Sequence, residues 1–205
     1  MYLISEPGLG IFLLIMLSLQ GAFMLVCTGR FPQIKPEGQG MVMVENCCNT
    51  AILLIFIPLI AVLLITGNYP ILDLTRLTIG IPWLISCLEA IGMALILYGT
   101  ALVVLGLLEL RMTFQPGGFA PRSEDMLITR GIYSLVRHPL NAGVLAVVLG
   151  IAVTVQSLFV VALFIVYLFL VLSVISVEEK QLSETFGEAY RSYSEKVKRL
   201  VPFIY

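Results

Sequence analysis

The chain is poor in charge. Only 12% of its 205 residues are Asp, Glu, Lys or Arg, against about 25% in a typical soluble domain. With 59% hydrophobic residues and a mean hydropathy of +1.01, this shortage excludes an ordinary soluble fold. A basic excess is also missing: the net charge of −1 and pI of 5.8 offer nothing to track a nucleic-acid backbone. Histidine occurs once, as His138, and the four cysteines, Cys27, Cys47, Cys48 and Cys87, have no metal-ligand spacing. No metal site is therefore expected, and the cysteines read as small apolar packing residues. Serine-hydrolase order, a phosphate loop and an H-E-x-x-H helix are absent too.

What is present in quantity is long apolar sequence. Leu9 to Cys27 is charge-free and long enough to span a bilayer, and the residues before it hold Glu6 and no basic cluster, unlike a cleaved signal peptide. Thr50 to Thr66 forms a second run, in which Pro58 can kink a buried helix without ending it. The third run, Ile79 to Leu108, would make a helix of about 45 Å, longer than a ~30 Å hydrocarbon core. Leu140 to Val177 contains no charge at all and would reach about 57 Å as one helix, so it must turn back on itself. Gln156-Ser157 near its midpoint marks the turn of a tight helical hairpin.

The expected fold is all-α and integral to a membrane: five transmembrane helices, the last two a hairpin, followed by an amphipathic C-terminal helix. Basic residues favour the cytoplasmic side. Arg30 and Lys35 lie in the first loop, Arg111, Arg122, Arg130 and Arg137 in the third, and five more in the tail, whereas Arg76 alone lies opposite. Five spans put those three segments on one face, with the N-terminus outside and the C-terminus cytoplasmic. From Glu178 to Lys198, Leu182, Phe186, Tyr190, Tyr193 and Val197 recur at helical spacing. That helix can lie on the membrane as an anchor or close over the bundle as a lid.

Chemistry concentrates at Arg137-His138-Pro139 and at Glu178-Glu179. Pro139 suits the first turn of a helix, so Arg137 and His138 can be simple interfacial caps. The same helix start also offers free amides and a positive dipole end that suit a carboxylate or phosphate. The adjacent glutamates point about 100° apart on a helix and cannot share one face. A hairpin returns Glu178 to the membrane face of His138, where one ligand can touch both. Glu89, about 15 Å into the third span, is either a functional carboxylate or a polar link between helices. Gly92, Gly99 and Gly106, seven residues apart, can line a close helix contact.

As a set, Leu127-Ile128-Thr129-Arg130-Gly131-Ile132-Tyr133, Arg137-His138-Pro139, the charge-free hairpin, Glu178-Glu179, Leu182, Phe186-Gly187, Tyr190, Tyr193, Arg199 and Pro202 resemble the isoprenylcysteine carboxyl methyltransferase family and its phospholipid-methyltransferase relatives. The resemblance covers about residues 105 to 205. It implies a single membrane methyltransferase domain over 1–205, with two leading spans in 1–75 and a catalytic core in 76–205. It also implies S-adenosyl-L-methionine bound on the cytoplasmic side and a lipophilic or prenylated acceptor entering from the bilayer. By position, the methyl donor would lie against Asp125, Met126, Leu127 and Ile128, then Tyr133. Further on it would meet His138, Pro139, Leu140 and Asn141, and finally Glu178 and Glu179.

Arg137 and Glu178 are positioning residues in this reading, and no general base is assigned. Glu89, Arg111 and Val174 are the acceptor-side candidates. Three positions depart from the family pattern: Asn141 stands where tyrosine is usual and Asp125 where histidine is frequent. Val174 stands where carboxyl-methylating members carry an arginine, leaving a substrate carboxylate to Arg111 or Arg137. Sterol reductases, which use NADPH, resemble the same region with different chemistry, and a non-catalytic membrane protein is the third alternative.

Overall fold

The computed structural model describes residues 5–28, 48, 51–68, 72, 74–77, 79–110 and 126–201. These residues form helices and the turns and short segments that join them, and among them the only strand-like pairings are two isolated bridges. Helix α1 spans Glu6–Thr28. A π-helical turn at Ile52–Phe56 leads into α2, Ile57–Thr66. The wide turn has a local cause: Pro58 has no amide hydrogen to continue the α ladder, and the Ile57 amide reaches back five residues to the Ile52 carbonyl. Helices α3 (Pro82–Leu110), α4 (Pro139–Val155) and α5 (Leu158–Phe186) follow, and α6, Glu188–Lys196, ends the ordered helices.

Three of these, Glu6–Leu25 within α1 and the whole of α3 and α5, are long and apolar enough to cross a membrane. The segments Ile52–Thr66 and α4 are apolar but shorter. The chain is an integral membrane protein, with exposed Ile11, Ile15, Phe169 and Val166 on outer faces suited to lipid. The third apolar run extends two residues further than its sequence suggests, to Leu110. The tail differs more. Instead of one amphipathic helix from 178 to 198, α5 continues past the glutamate pair to Phe186, and Gly187 (φ 54°) breaks the chain before α6. Glycine occupies this positive-φ turn without the steric penalty of a side chain.

α3 and α4 are the closest pair, and the reason is backbone rather than side chain. A Cβ on Gly143 would lie 2.7 Å from the Gly99 carbonyl oxygen, and one on Gly150 would lie 2.6 Å from that of Gly92. Gly106 continues the row against the side chains of Leu140 and Pro139. The heptad-spaced glycines thus form a ladder along which two antiparallel helices touch. A buried hydrogen bond from Gln20 Nε2 to Thr100 Oγ1 (2.9 Å) joins α1 to α3.

Gln156, in the left-handed region at φ 56°, ends α4, and Ser157 precedes α5. This turn is tied to residues 75–77: the Leu77 amide donates to Gln156 O, the Leu158 amide to Thr75 O, and the Thr75 and Ser157 hydroxyls lie 2.7 Å apart. Arg76 bridges on to Glu6 at 2.8 Å. α5 packs back against α4, and twenty residues at ~1.5 Å per residue carry it about 30 Å from Leu158 to Glu178, the thickness of the hydrocarbon core. The glutamate pair therefore emerges at the same end of the bundle as the start of α4.

Candidate functional site

That end of the bundle is built on a short 3-10 turn, Gly131–Ser134, seated against the end of α3. Gly131 has φ 58°, a conformation that side-chain-bearing residues adopt only with strain, and it lies against the carboxylate of Glu109. Arg130 faces the same carboxylate at 3.3 Å. From here the chain runs extended beside the C-terminal segment: the Arg137 amide donates to Lys198 O (2.8 Å) and the His138 amide to Arg199 O (3.0 Å). Pro139 then opens α4 with His138 as its N-terminal cap residue.

Glu179 is the hub. Its Oε1 accepts from Arg137 Nε (2.9 Å) and Nη2 (2.6 Å), with His138 Nε2 at 3.4 Å, while Oε2 accepts from Arg199 Nε (3.0 Å) and Nη2 (2.7 Å). The remaining arm of Arg137, Nη1, donates to the carbonyls of Ser194 in the last turn of α6 and of Val197 just past it. Glu179 and Arg137 side chains are only 12% and 10% exposed, so this charge pair is held away from water and is strong for that reason. Tyr193 completes the clasp by donating from its hydroxyl to Tyr133 O (2.6 Å).

Glu178 has a different task, as adjacent helix positions require. Its Oε2 lies 3.3 Å from His138 Nδ1, and its side chain keeps 28% of its surface open. The imidazole thus sits between two carboxylates. Burial pulls the His138 pKa down, but the hydrogen bonds and charges of Glu178 and Glu179 outweigh it and the net shift is upward. A group whose folded pKa is raised contributes its full stability below the unfolded value of about 6.5 and loses it as pH climbs through the folded value. The thermal midpoint in detergent is therefore expected to fall between about pH 6 and pH 9, and His138→Gln should flatten that slope. A wild-type midpoint that rises over this range would contradict the assignment.

Among the expected donor-side residues, Tyr133, His138 and Pro139 are buried, Leu127, Ile128, Leu140, Asn141 and Glu178 are half-buried, and Met126 is exposed. His138 and Glu178 come together as the sequence suggested. Glu179 does too, but both its oxygens are engaged by protein, and Arg137 likewise directs its guanidinium into the clasp. Val174, one turn before Glu178, is a fully buried aliphatic side chain. Glu89 is buried on α3 but lies beyond Gly92, at the Gln156 end of the bundle, about 26 Å along the helix from Gly106. It cannot share a small ligand with His138. Asp125 and Arg111 lie outside the described residues.

Sequence reasoning did not assign a role to Arg199, which grips Glu179 from twenty residues downstream. No spacing rule reaches it, because it lies beyond the last helix and approaches through an extended segment. Tyr190 was visible as part of an apolar stripe and of the family resemblance, with no role of its own assigned.

Residues 88–189 match the phospholipid methyltransferase family model. No curated protein sequence matches the chain. Among solved structures, the chain is similar to the eukaryotic intramembrane Ras methyltransferase ICMT (isoprenylcysteine carboxyl methyltransferase), at 21% identity and a TM-score of 0.54. The alignment covers 94% of this chain and 74% of that one. The matched segment begins inside α3 and ends inside α6, enclosing the glycine ladder, His138 and both glutamates. That match and the shared fold support a membrane methyltransferase of the phospholipid methyltransferase and isoprenylcysteine carboxyl methyltransferase type.

Proposed function

We propose that the protein transfers a methyl group from S-adenosyl-L-methionine to a lipophilic acceptor that enters from the bilayer, within one domain over 1–205 that spans the membrane five times. The distribution of lysine and arginine supports an N-terminus outside and a cytoplasmic site. The observation that carries the reading is the meeting of His138 with the partly open carboxylate of Glu178 inside the family-matched segment.

The site fits such a donor. The start of α4 presents a positive helix end to a carboxylate, Glu178 presents an acceptor to a hydroxyl or amine, and a buried tyrosine hydroxyl on α6 has no protein partner. S-adenosylmethionine supplies a sulfonium-activated methyl group when bound. The residues need only hold donor and acceptor in line and keep water away, so positioning carries the rate and no general base is required. Glu179, Arg137 and Arg199 hold α6 and the C-terminal segment down over that end of the bundle.

For the acceptor, a carboxylate of the isoprenylcysteine type is the first reading, on the fold shared with ICMT. One observation favours a second. Val174 puts a buried aliphatic where a carboxylate would want a cation, and Arg137 and Arg199 already donate to Glu179. An acceptor head that needs no cation, such as the amine of a phospholipid, suits this better. Neither match favours an NADPH-dependent reductase.

Equilibrium binding of S-adenosylmethionine and NADPH to the purified protein in nanodiscs tests the donor. Selective binding of S-adenosylmethionine is expected, weakened about tenfold or more in His138→Ala and in Glu178→Ala, the effect of removing a hydrogen bond to a charged group. Selective NADPH binding would replace the proposal with the reductase, and binding of neither would remove it. Labelled-methyl transfer to a prenylcysteine carboxylate against an amine-headed phospholipid then separates the two acceptors.

A further inference from the structure

Tyr190 carries a buried hydroxyl that the clasp leaves out. The residue is only 4% exposed, and its Oη has no hydrogen-bond partner. The other such atom among the described residues, Gln156 Nε2, lies at the opposite end of the bundle. An unsatisfied buried hydroxyl costs about 1–3 kcal/mol, and phenylalanine would fill the same space without it. The ring itself is well fixed. It packs edge-on against Tyr193 with centroids 6.1 Å apart, Tyr193 is bonded to Tyr133 O, and the end of α6 is held by Arg137.

The hydroxyl is near enough to the clasp to feel the charges of Glu179, Arg137 and Arg199, yet these groups bond one another and not Tyr190. We infer that the Tyr190 hydroxyl is a binding group of the methyl-donor site, rigidly held to donate a hydrogen bond to an acceptor atom of the bound donor. The inference rests on the donor proposed above. Burial and the charge of Glu179 push the phenol pKa upward, so the group stays a donor across the working pH range. Tyr190 is then a positioning residue that α6 brings to the site, which gives the short helix a task beyond covering the bundle.

Tyr190→Phe tests this by two readouts on the full chain in nanodiscs, with S-adenosylmethionine and S-adenosylhomocysteine as probes. The ligand-free thermal midpoint should stay level or rise, because an orphaned polar atom is removed, while affinity for both probes falls about three- to tenfold. Tyr193→Phe provides the structural comparison, since it deletes a hydroxyl that is bonded within the protein and should lower the ligand-free midpoint. Affinity of Tyr190→Phe within about twofold of wild type overturns the inference, as does a joint loss of midpoint and affinity in the proportion set by Tyr193→Phe. Absence of probe binding by the wild type would instead remove the donor reading itself, and the inference with it.

Discussion

Glu179→Gln is expected to lower the unfolding midpoint by about 10 °C and to release the C-terminal segment, whereas Glu178→Gln should change the midpoint far less. The difference follows from what each carboxylate holds. Removing the charge of Glu179 leaves the guanidinium of Arg137, 10% exposed, without its anion and takes from Arg199 its ion pair with the same carboxylate, while His138 keeps Glu178. Breaking a buried pair in this one-sided way typically costs about 3–5 kcal/mol, and each kcal/mol moves the midpoint of a chain of this size by about 2–4 °C. Glu178 is 28% exposed and its partner His138 keeps Glu179, so water and the second carboxylate absorb much of the loss.

Thermal unfolding in detergent measures the first effect, and limited proteolysis past Phe186 measures the release of α6. Methyl-donor affinity should report the reverse order of cause: Glu178→Gln weakens binding in a protein that is still folded, and Glu179→Gln weakens it because α6 and Tyr190 are no longer held. Equal midpoint losses in the two variants would sink this division of labour.

Much of this arrangement was legible because membrane segments and their interruptions leave strong marks. A run without charge from Leu140 to Val177 is too long for one crossing, and the polar Gln156-Ser157 pair is where the helix breaks. His138 before a proline and two adjacent glutamates at the end of an apolar run identify chemistry because so little else in the chain carries charge. The direction of each side chain was not legible. Arg137 and His138 are neighbours in sequence, yet Arg137 is bonded to the C-terminal segment and Glu179, a choice made by carbonyls of residues 194 and 197 that no local pattern contains.

The same limit explains the tail. Apolar periodicity continues smoothly from Leu182 to Val197, so it hides the turn at Gly187 that separates α5 from α6. Glu89 shows the converse case: an intramembrane carboxylate attracts a functional reading, but its place in the antiparallel pairing of α3 with α4 puts it at the far end. The glycine register, Gly92 with Gly150 and Gly99 with Gly143, fixes which end is which, as does Glu109 against Gly131.

That register makes the second large effect. Gly99→Val is expected to destabilise the protein by about 3 kcal/mol or more, at the upper end of what overpacking usually costs, because the new Cβ meets the Gly143 carbonyl and cannot be relieved by a rotamer change. Backbone yields only if α3 and α4 separate. His138 caps α4 while Glu178 is carried by α5, so a displaced α4 also opens the 3.3 Å contact on which the site depends. Donor affinity should therefore fall together with the midpoint. Gly21→Ala is the matched control: it lies in α1 with nothing within 4 Å of the added Cβ, and alanine is the better helix former, so its midpoint should hold or rise slightly. If Gly99→Val melts like wild type, the close approach of α3 and α4 is not what sets the spacing of His138 and Glu178, and the ladder has no part in building the site.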